Sequence, residues 1–183
     1  SCLRAYIHKM ADKKRTISIF ETGTARGFSA LCMAKALFDS GIDGKIHTFD
    51  PLPHTTKIYW NSITDHREGK LTRRELLNDW EELVDKFIVF HTGFSKFMLP
   101  KINLGRINFA FLDASRKCEE VDFELNIIAS NQNIGDVIVV DDYNKNQFPG
   151  VVKAVDLFCK NNNYEKTILN SFTERSYTIL KRS

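Results

Sequence analysis

Five short apolar runs in this chain each end on residues suited to holding a ligand. Ile17 to Phe20 leads to Glu21 and Gly23, Lys45 to Phe49 leads to Asp50, and Phe87 to His91 leads to Thr92 and Gly93. Ile107 to Leu112 then ends on Asp113, and Val137 to Val140 on Asp141 and Asp142. In an open α/β sheet, ligands sit beyond the carboxyl ends of the strands, so strands read from these runs bring all these groups to one edge. Capping of the following helices is the structural alternative for any one of them, but five in succession favour a site.

The stretch ISIFETGTARG, residues 17–27, carries the most information. A strand, a turn with Gly23 and Gly27, and a helix N-terminus form a cradle, because glycines permit close backbone approach and the helix end offers free N–H groups. Gly-x-Gly-x-x-Gly is absent, and so is the G-x-x-x-x-G-K-[ST] phosphate loop. What remains is Glu-x-Gly-x-x-x-Gly, whose carboxylate repels a pyrophosphate and attracts a cationic amine. An α-amino group, a sulfonium and a ribose together describe S-adenosylmethionine. Asp50 ends the second strand, where an acid accepts both ribose hydroxyls; a turn or capping Asp before Pro51 is the alternative. The glycine spacing argues against an NAD-dependent dehydrogenase, the rival by fold alone.

The elements that position these groups alternate. Leu3, Tyr6, Ile7 and Met10 stand at helical spacing, so residues 3–13 read as an amphipathic helix that either caps the cofactor pocket or covers a sheet edge. Phe28 to Asp39 is apolar on nearly every side and should be sandwiched in the core, with Gly41 where a C-cap glycine belongs. Residues 54–86 form an insertion far longer than the connections of about 2 to 6 residues usual in α/β units. Within it, Thr72 and Glu75 make a capping box that opens a helix over Leu71 to Lys86. The part before the box carries His54, Tyr59, Trp60 and His66, and reads either as a substrate wall or lid, or as aromatics packed on that helix. Cys118 to Ala129 places Val121, Leu125 and Ile128 on one helical face, and Pro149 opens a helix to about Asn161. Continuous apolar strands separated by helices indicate parallel strands buried on both faces. Tyr164 to Leu169 and Ser176 to Lys181 close the chain as an antiparallel hairpin.

With 183 residues, the chain fits one domain at roughly 100 to 200 residues per domain. Its net charge of +3 is scattered, which gives no reason to invoke nucleic acid. Arg67, Lys70, Arg73 and Arg74 read as the solvated start of a helix rather than an acidic-ligand site. Cys2, Cys32, Cys118 and Cys159 lack a C-x-x-C pair or zinc spacing and read as reduced thiols of an intracellular protein. Residues 1–20 lack the order of a signal peptide, and no apolar stretch approaches the ~18 residues of a membrane span, so a soluble cytoplasmic protein without a membrane partner is expected. The chain begins at Ser1 rather than Met, as a trimmed sequence would.

Glu21 to Gly27, Asp50 and the block from Phe111 to Phe158 resemble the class I S-adenosylmethionine-dependent methyltransferases. FLDASRKCEEVDFEL and VIVVDDYNKNQFPGVVKAVDLF are most similar to the O-methyltransferase branch that includes methyltransferase family 24 and the macrocin-type sugar O-methyltransferases. The similarity runs from Ile17 to Lys181. It implies an α/β, Rossmann-like three-layer sandwich with a seven-stranded, mostly parallel sheet whose last strand is antiparallel, in agreement with the closing hairpin. It also implies that Glu21, Gly23, Thr24 and Gly27 surround the methionine part of S-adenosylmethionine, that Asp50 takes the ribose, and that Gly93, Phe94 and Ser95 lie near the adenine. Phe94 stands where many relatives carry a polar residue, so apolar contact would replace a side-chain hydrogen bond there.

Asp113, Asp141 and Asp142 match the positions at which metal-dependent relatives hold a divalent cation, and Asp113 also faces the cofactor. Three converging carboxylates would raise one another's pKa unless a cation neutralised them, and hard oxygen ligands suit Mg²⁺. A metal there would bind the acceptor's hydroxyl oxygens and orient the attacking one, which would make Asp113 and Asp141 catalytic; turn capping by the Asp pair is the alternative. Many relatives carry a histidine three residues after the first aspartate, where this chain has Arg116. A permanently charged arginine can fix an anionic substrate but cannot be a base, which leaves Lys117 as the candidate base if desolvation lowers its pKa. The expectation is therefore a Mg²⁺-assisted O-methyltransferase for a hydroxyl of a small molecule, such as a sugar, another polyol or a phenol, with a homo-oligomer left open. Its rivals are metal-independent methyl transfer and a non-catalytic cofactor-binding module that meets a protein partner through Trp60 or Trp80.

Overall fold

A computed structural model describes residues 2–10, 16–60, 69–170 and 176–183. Seven strands, β1 (Ile17–Thr22), β2 (Gly44–Asp50), β3 (Ile88–Thr92), β4 (Phe109–Leu112), β5 (Val137–Val140), β6 (Tyr164–Asn170) and β7 (Ser176–Arg182), form one sheet in the order β3-β2-β1-β4-β5-β7-β6. The pairs among β1 to β5 are parallel, and β7 runs antiparallel to both β5 and β6. The strand order departs in both directions from β1, so the chain reverses between β1 and β4, where such sheets bind ligands. This is the architecture the resemblance implies, with the closing hairpin as its antiparallel end.

Helices α1 (Cys2–Met10), α2 (Phe28–Asp39), α3 (Arg73–Leu76), α4 (Glu81–Phe87), α5 (Ser95–Met98), α6 (Cys118–Ser130) and α7 (Pro149–Asn161) complete the chain. Side chains alternate along a strand, so β1 turns Ile17, Ile19 and Glu21 to one face and Phe20 and Thr22 to the other. The first face packs Ile19 and Ile46 with Leu3, Ile7, Leu37 and Phe87 of α1, α2 and α4. The second packs Phe20 and Phe49 with Leu125 and Ile128 of α6 and Val155 and Phe158 of α7. None of the described helices is long and apolar enough to cross a membrane.

Three expectations change. α2 is not sandwiched: Ala30, Ala34 and Leu37 are buried, whereas Phe28 and Phe38 are 76% and 53% exposed, because only one side of the helix meets the sheet. The helix expected over Leu71 to Lys86 is broken into α3, a 3-10 turn (Asn78–Trp80) and α4. Its capping box is present, but Asn78 and Asp79 are weak helix formers that compete for backbone hydrogen bonds, and the break falls on them. The solvated helix start is only partly solvated, since Arg74 is exposed and Arg73 is completely buried, while Arg67 lies outside the described residues.

Two segments whose sequence left alternatives open can be placed among the described residues. Tyr6 of α1 donates its hydroxyl to Asp136, just ahead of β5, and packs near Phe109 at the start of β4. α1 therefore covers the sheet near the amino ends of the strands, the end opposite the candidate site. In the insertion, Trp60 is buried and donates its indole N–H to the Leu71 carbonyl at 2.9 Å, while His54 stacks on Phe90 with ring centroids 4.1 Å apart. These aromatics pack inward, which removes Trp60 as a partner contact; Trp80 and Tyr59 remain about half exposed, and His66 lies outside the described residues.

Candidate active site

The register of β1 against β2 sets Glu21 beside Thr48, so both point to the same sheet face. The Thr48 hydroxyl donates to Glu21 Oε2 and lies 2.5 Å from the Thr24 hydroxyl. Thr24 is buried, and its contact with Thr48 places it one step behind the carboxylate. Glu21 is wholly buried and its Oε1 has no hydrogen-bond partner among the described residues. Burial drives its pKa up to about 7, Asp113 and Asp50 add to the rise, and the Ser29 and Thr48 hydroxyls oppose it. Immediately after it, Gly23 adopts φ 89°, and a Cβ there would stand 2.2 Å from the Asp113 carbonyl oxygen. Only glycine allows the turn after β1 to lie against the end of β4.

Asp50 ends β2 as expected, and its carboxylate already organises the cradle. Oδ2 accepts the Ala25 N–H at 2.8 Å and Oδ1 the Leu52 N–H at 2.7 Å, tying the turn after β1 to the loop after β2. Arg73 reinforces the same junction. Its Nε donates to the Ala25 carbonyl at 2.6 Å and its Nη2 to the Leu52 carbonyl at 3.2 Å, and Nη2 stands 3.8 Å from Asp50 Oδ1. The guanidinium lies over the rings of Trp60 and Phe90 at 5.5 and 5.6 Å. The insertion is thus fastened to the cofactor cradle by a buried cation that had read as surface charge.

On the other face, Thr22 donates to Glu124 Oε2 at 3.1 Å and Ser95 donates to Glu124 Oε1 at 2.5 Å. Ser95 therefore holds the loop after β3 to α6, while Phe94 on the same loop is 58% exposed. Burial raises the Glu124 carboxyl to about 7, against the pull of those two hydroxyls. Sequence reasoning missed Glu124, although a signal was there: it stands three residues after Val121 and directly before Leu125, within the apolar stripe of α6.

Asp113, Arg116, Glu124, Asp141 and Asp142 line one narrow crevice at the ends of β4 and β5. The expected metal site is not formed there. No group of three His, Cys, Asp or Glu side chains among the described residues is placed to hold a metal ion. Asp142, in the left-handed region with φ 57°, accepts Arg116 Nη2 on its Oδ2 at 2.6 Å, and Asp141 Oδ1 accepts the Asp142 N–H at 2.6 Å. A guanidinium already neutralises the oxygen that the metal was to use, so these residues do not fit a divalent cation. Lys117 is also corrected as the base, because it does not line that crevice and its side chain is 76% exposed, with Nζ 3.9 Å from Glu120 Oε1.

The model of a methyltransferase domain family, family 24, matches residues 20–143, from the Glu21 turn through Asp142. The chain belongs to that methyltransferase family. Its fold is shared with solved structures at low identity. The O-methyltransferase NovP superposes with a TM-score of 0.74 at 18% identity over 100% of this chain and 78% of its own. Cofactor-bound Rv0187 from MTB gives 0.70 at 16% over 98% and 78%, and the O-methyltransferase from Bacillus cereus in complex with SAH gives 0.66 at 15% over 99% and 80%. No curated protein sequence matches the chain.

Proposed function

We propose that this methyltransferase uses S-adenosylmethionine to methylate a hydroxyl oxygen of a small molecule. The observation that carries the cofactor assignment is Glu21 Oε1, a buried carboxylate oxygen without a partner among the described residues, beside a turn whose glycine allows close backbone approach. Such an oxygen is costly to bury alone and is satisfied by a cationic amine. The residues present therefore fit an amino acid sulfonium carrying a ribose. Bound, this group would supply an electrophilic methyl carbon.

Glu21 would receive the amino group, its carboxylate held in place by Thr48 and Thr24. Asp50, fixed by the Ala25 and Leu52 N–H groups, retains lone pairs for ribose hydroxyls. Leu52 and Phe94, exposed on the loops after β2 and β3, offer apolar faces to the adenine. Asp113, Arg116, Asp141 and Asp142 line a crevice of about 10 Å³, room for about one water, so they would offer polar contacts to an acceptor seated at its mouth. The preference for an oxygen acceptor draws support from the O-methyltransferases that share the fold.

Titration calorimetry with S-adenosylhomocysteine tests the cofactor, with one site per chain expected and weakened by Glu21→Gln. Absence of binding would overturn the reading. Transfer of label from S-adenosylmethionine to hydroxylated sugars, polyols and phenols then tests the acceptor class, and transfer confined to amines would refute the oxygen assignment.

A further inference from the structure

The break at Asn78 leaves a large aromatic outside the core. Helical spacing over Leu71 to Lys86 would set Trp80 on one face with Leu77, Leu83 and Val84, yet the 3-10 turn takes it out of that register. Leu77 and Leu83 are buried, whereas Trp80 stays about half exposed. It is not an isolated surface ring. With Leu76 and Leu77, and with Phe28 and Leu31 from one face of α2, it lines a recess of about 280 Å³ that Arg26 completes. We infer that this recess between α2 and the 3-10 turn binds a flat aromatic small molecule.

Size and lining select the occupant. A stable protein interface buries about 800 Å² on each partner, more than a recess of six residues supplies. Ligand pockets start near about 300 Å³, and the recess stands at that lower end, suited to one or two fused rings. Five of its six residues are apolar and none is acidic, so a sugar's hydroxyls would lose water there without replacement. Phe28 and Trp80 instead offer ring faces for stacking. Arg26 has another interaction to satisfy, so the rings rather than the guanidinium carry the affinity. The walls are preformed. Gly27, at φ 91°, lies so near Leu77 that a Cβ there would stand 3.0 Å from its Cδ1, and the Arg74–Glu81 ion pair at 3.3 Å ties the two sides of the 3-10 turn. A ligand here therefore borders the turn after β1, while the crevice at the ends of β4 and β5 has room for about one water and cannot house a ring.

The chain carries its own reporter, because it has two tryptophans and Trp60 is buried. 2-Naphthol titrated into the whole chain should quench Trp80 fluorescence saturably and bind at one site by calorimetry, and glucose should do neither. Phe28→Ser and Trp80→Ala change exposed or half-exposed residues, and each should weaken calorimetric binding about three- to tenfold, the worth of one aromatic pair. Melting curves identify the folded variants. Saturating S-adenosylhomocysteine should leave naphthol binding in place, since its adenine is proposed to lie on the loops after β2 and β3. Absence of a saturable quench, equal binding of glucose, unchanged affinity in both folded variants, or displacement by S-adenosylhomocysteine overturns the inference. The aromatic body of the acceptor and a regulatory ligand share this chemistry, and label transfer separates them. Transfer from S-adenosylmethionine to 2-naphthol that falls in Phe28→Ser marks an acceptor, and binding without transfer marks a regulator. That arm rests on the methyltransferase reading above; failure of S-adenosylhomocysteine to bind would overturn the cofactor reading and leave the naphthol titration to stand by itself.

Discussion

Replacing Arg73 with methionine isolates the junction between the insertion and the cofactor cradle. Methionine keeps much of the length and apolar bulk against Trp60 and Phe90 but removes the guanidinium. The variant loses charged hydrogen bonds to the Ala25 and Leu52 carbonyls and an ion pair to Asp50 between side chains only 2% and 9% exposed. A hydrogen bond to a charged group contributes about 1.5 to 3 kcal/mol. Water can reach Ala25 and Leu52, which are exposed residues, and Asp50 keeps two backbone N–H donors, so the low end of that range applies. The expected loss is about 3 kcal/mol, which lowers the melting temperature of a chain this size by roughly 6 to 12 °C. Because both lost bonds hold the loops proposed to cradle the cofactor, affinity for S-adenosylhomocysteine should fall about tenfold or more. Arg73→Lys, which keeps the charge without the fork, should fall between. Scanning calorimetry and titration calorimetry measure both quantities. A methionine variant that melts within about 2 °C of the wild type and binds equally well would refute the assignment of Arg73 as a staple.

Other outcomes follow from the same geometry. Gly23→Ala drives a Cβ into the Asp113 carbonyl at φ 89° and should lose several kcal/mol together with cofactor binding, whereas Gly41→Ala, at φ 63° in open space, should cost only about 1 kcal/mol in urea unfolding. Glu21, raised to about 7, is protonated on the acid side of that value and ionised above it, so affinity for the cationic cofactor should tighten as pH rises through 7. Below 7, binding should release a proton, visible as buffer-dependent calorimetric heat; equal heats in buffers of different ionisation enthalpy would refute it. Folded Glu21 and Glu124 keep protons that the unfolded chain releases from about 4.5 upward, so their contribution to stability is greatest below 4.5 and is lost as pH rises through about 7. Glu124→Gln should remove part of that loss and leave the protein at least as stable as the wild type well above pH 7; a marked destabilisation there would show that the ionised carboxylate is needed.

Much of this arrangement is legible in local sequence. Apolar runs ending on Glu21, Asp50, Asp113 and Asp141 gave the parallel strands and the edge where they converge, because strand periodicity and strand ends depend on neighbouring residues. The capping box at Thr72 and Glu75 and the proline opening the last helix are read the same way, and both are present. The break at Asn78 and the bare outer side of α2 were not legible, since hydrophobic spacing shows which residues can be buried and not how much sheet there is to bury them.

What the sequence by itself determined is the order of strands and helices, the Glu-x-Gly-x-x-x-Gly turn, and the acids that end the strands. Tertiary structure decided how charged groups are shared. Arg73 reaches Ala25 across 48 positions, Thr22 reaches Glu124 across 102, and Arg116 takes Asp142 at the place expected for a metal. A charged side chain has several chemically equivalent partners in a sequence, and only packing that brings two distant elements within hydrogen-bond reach, and removes water from between them, selects one.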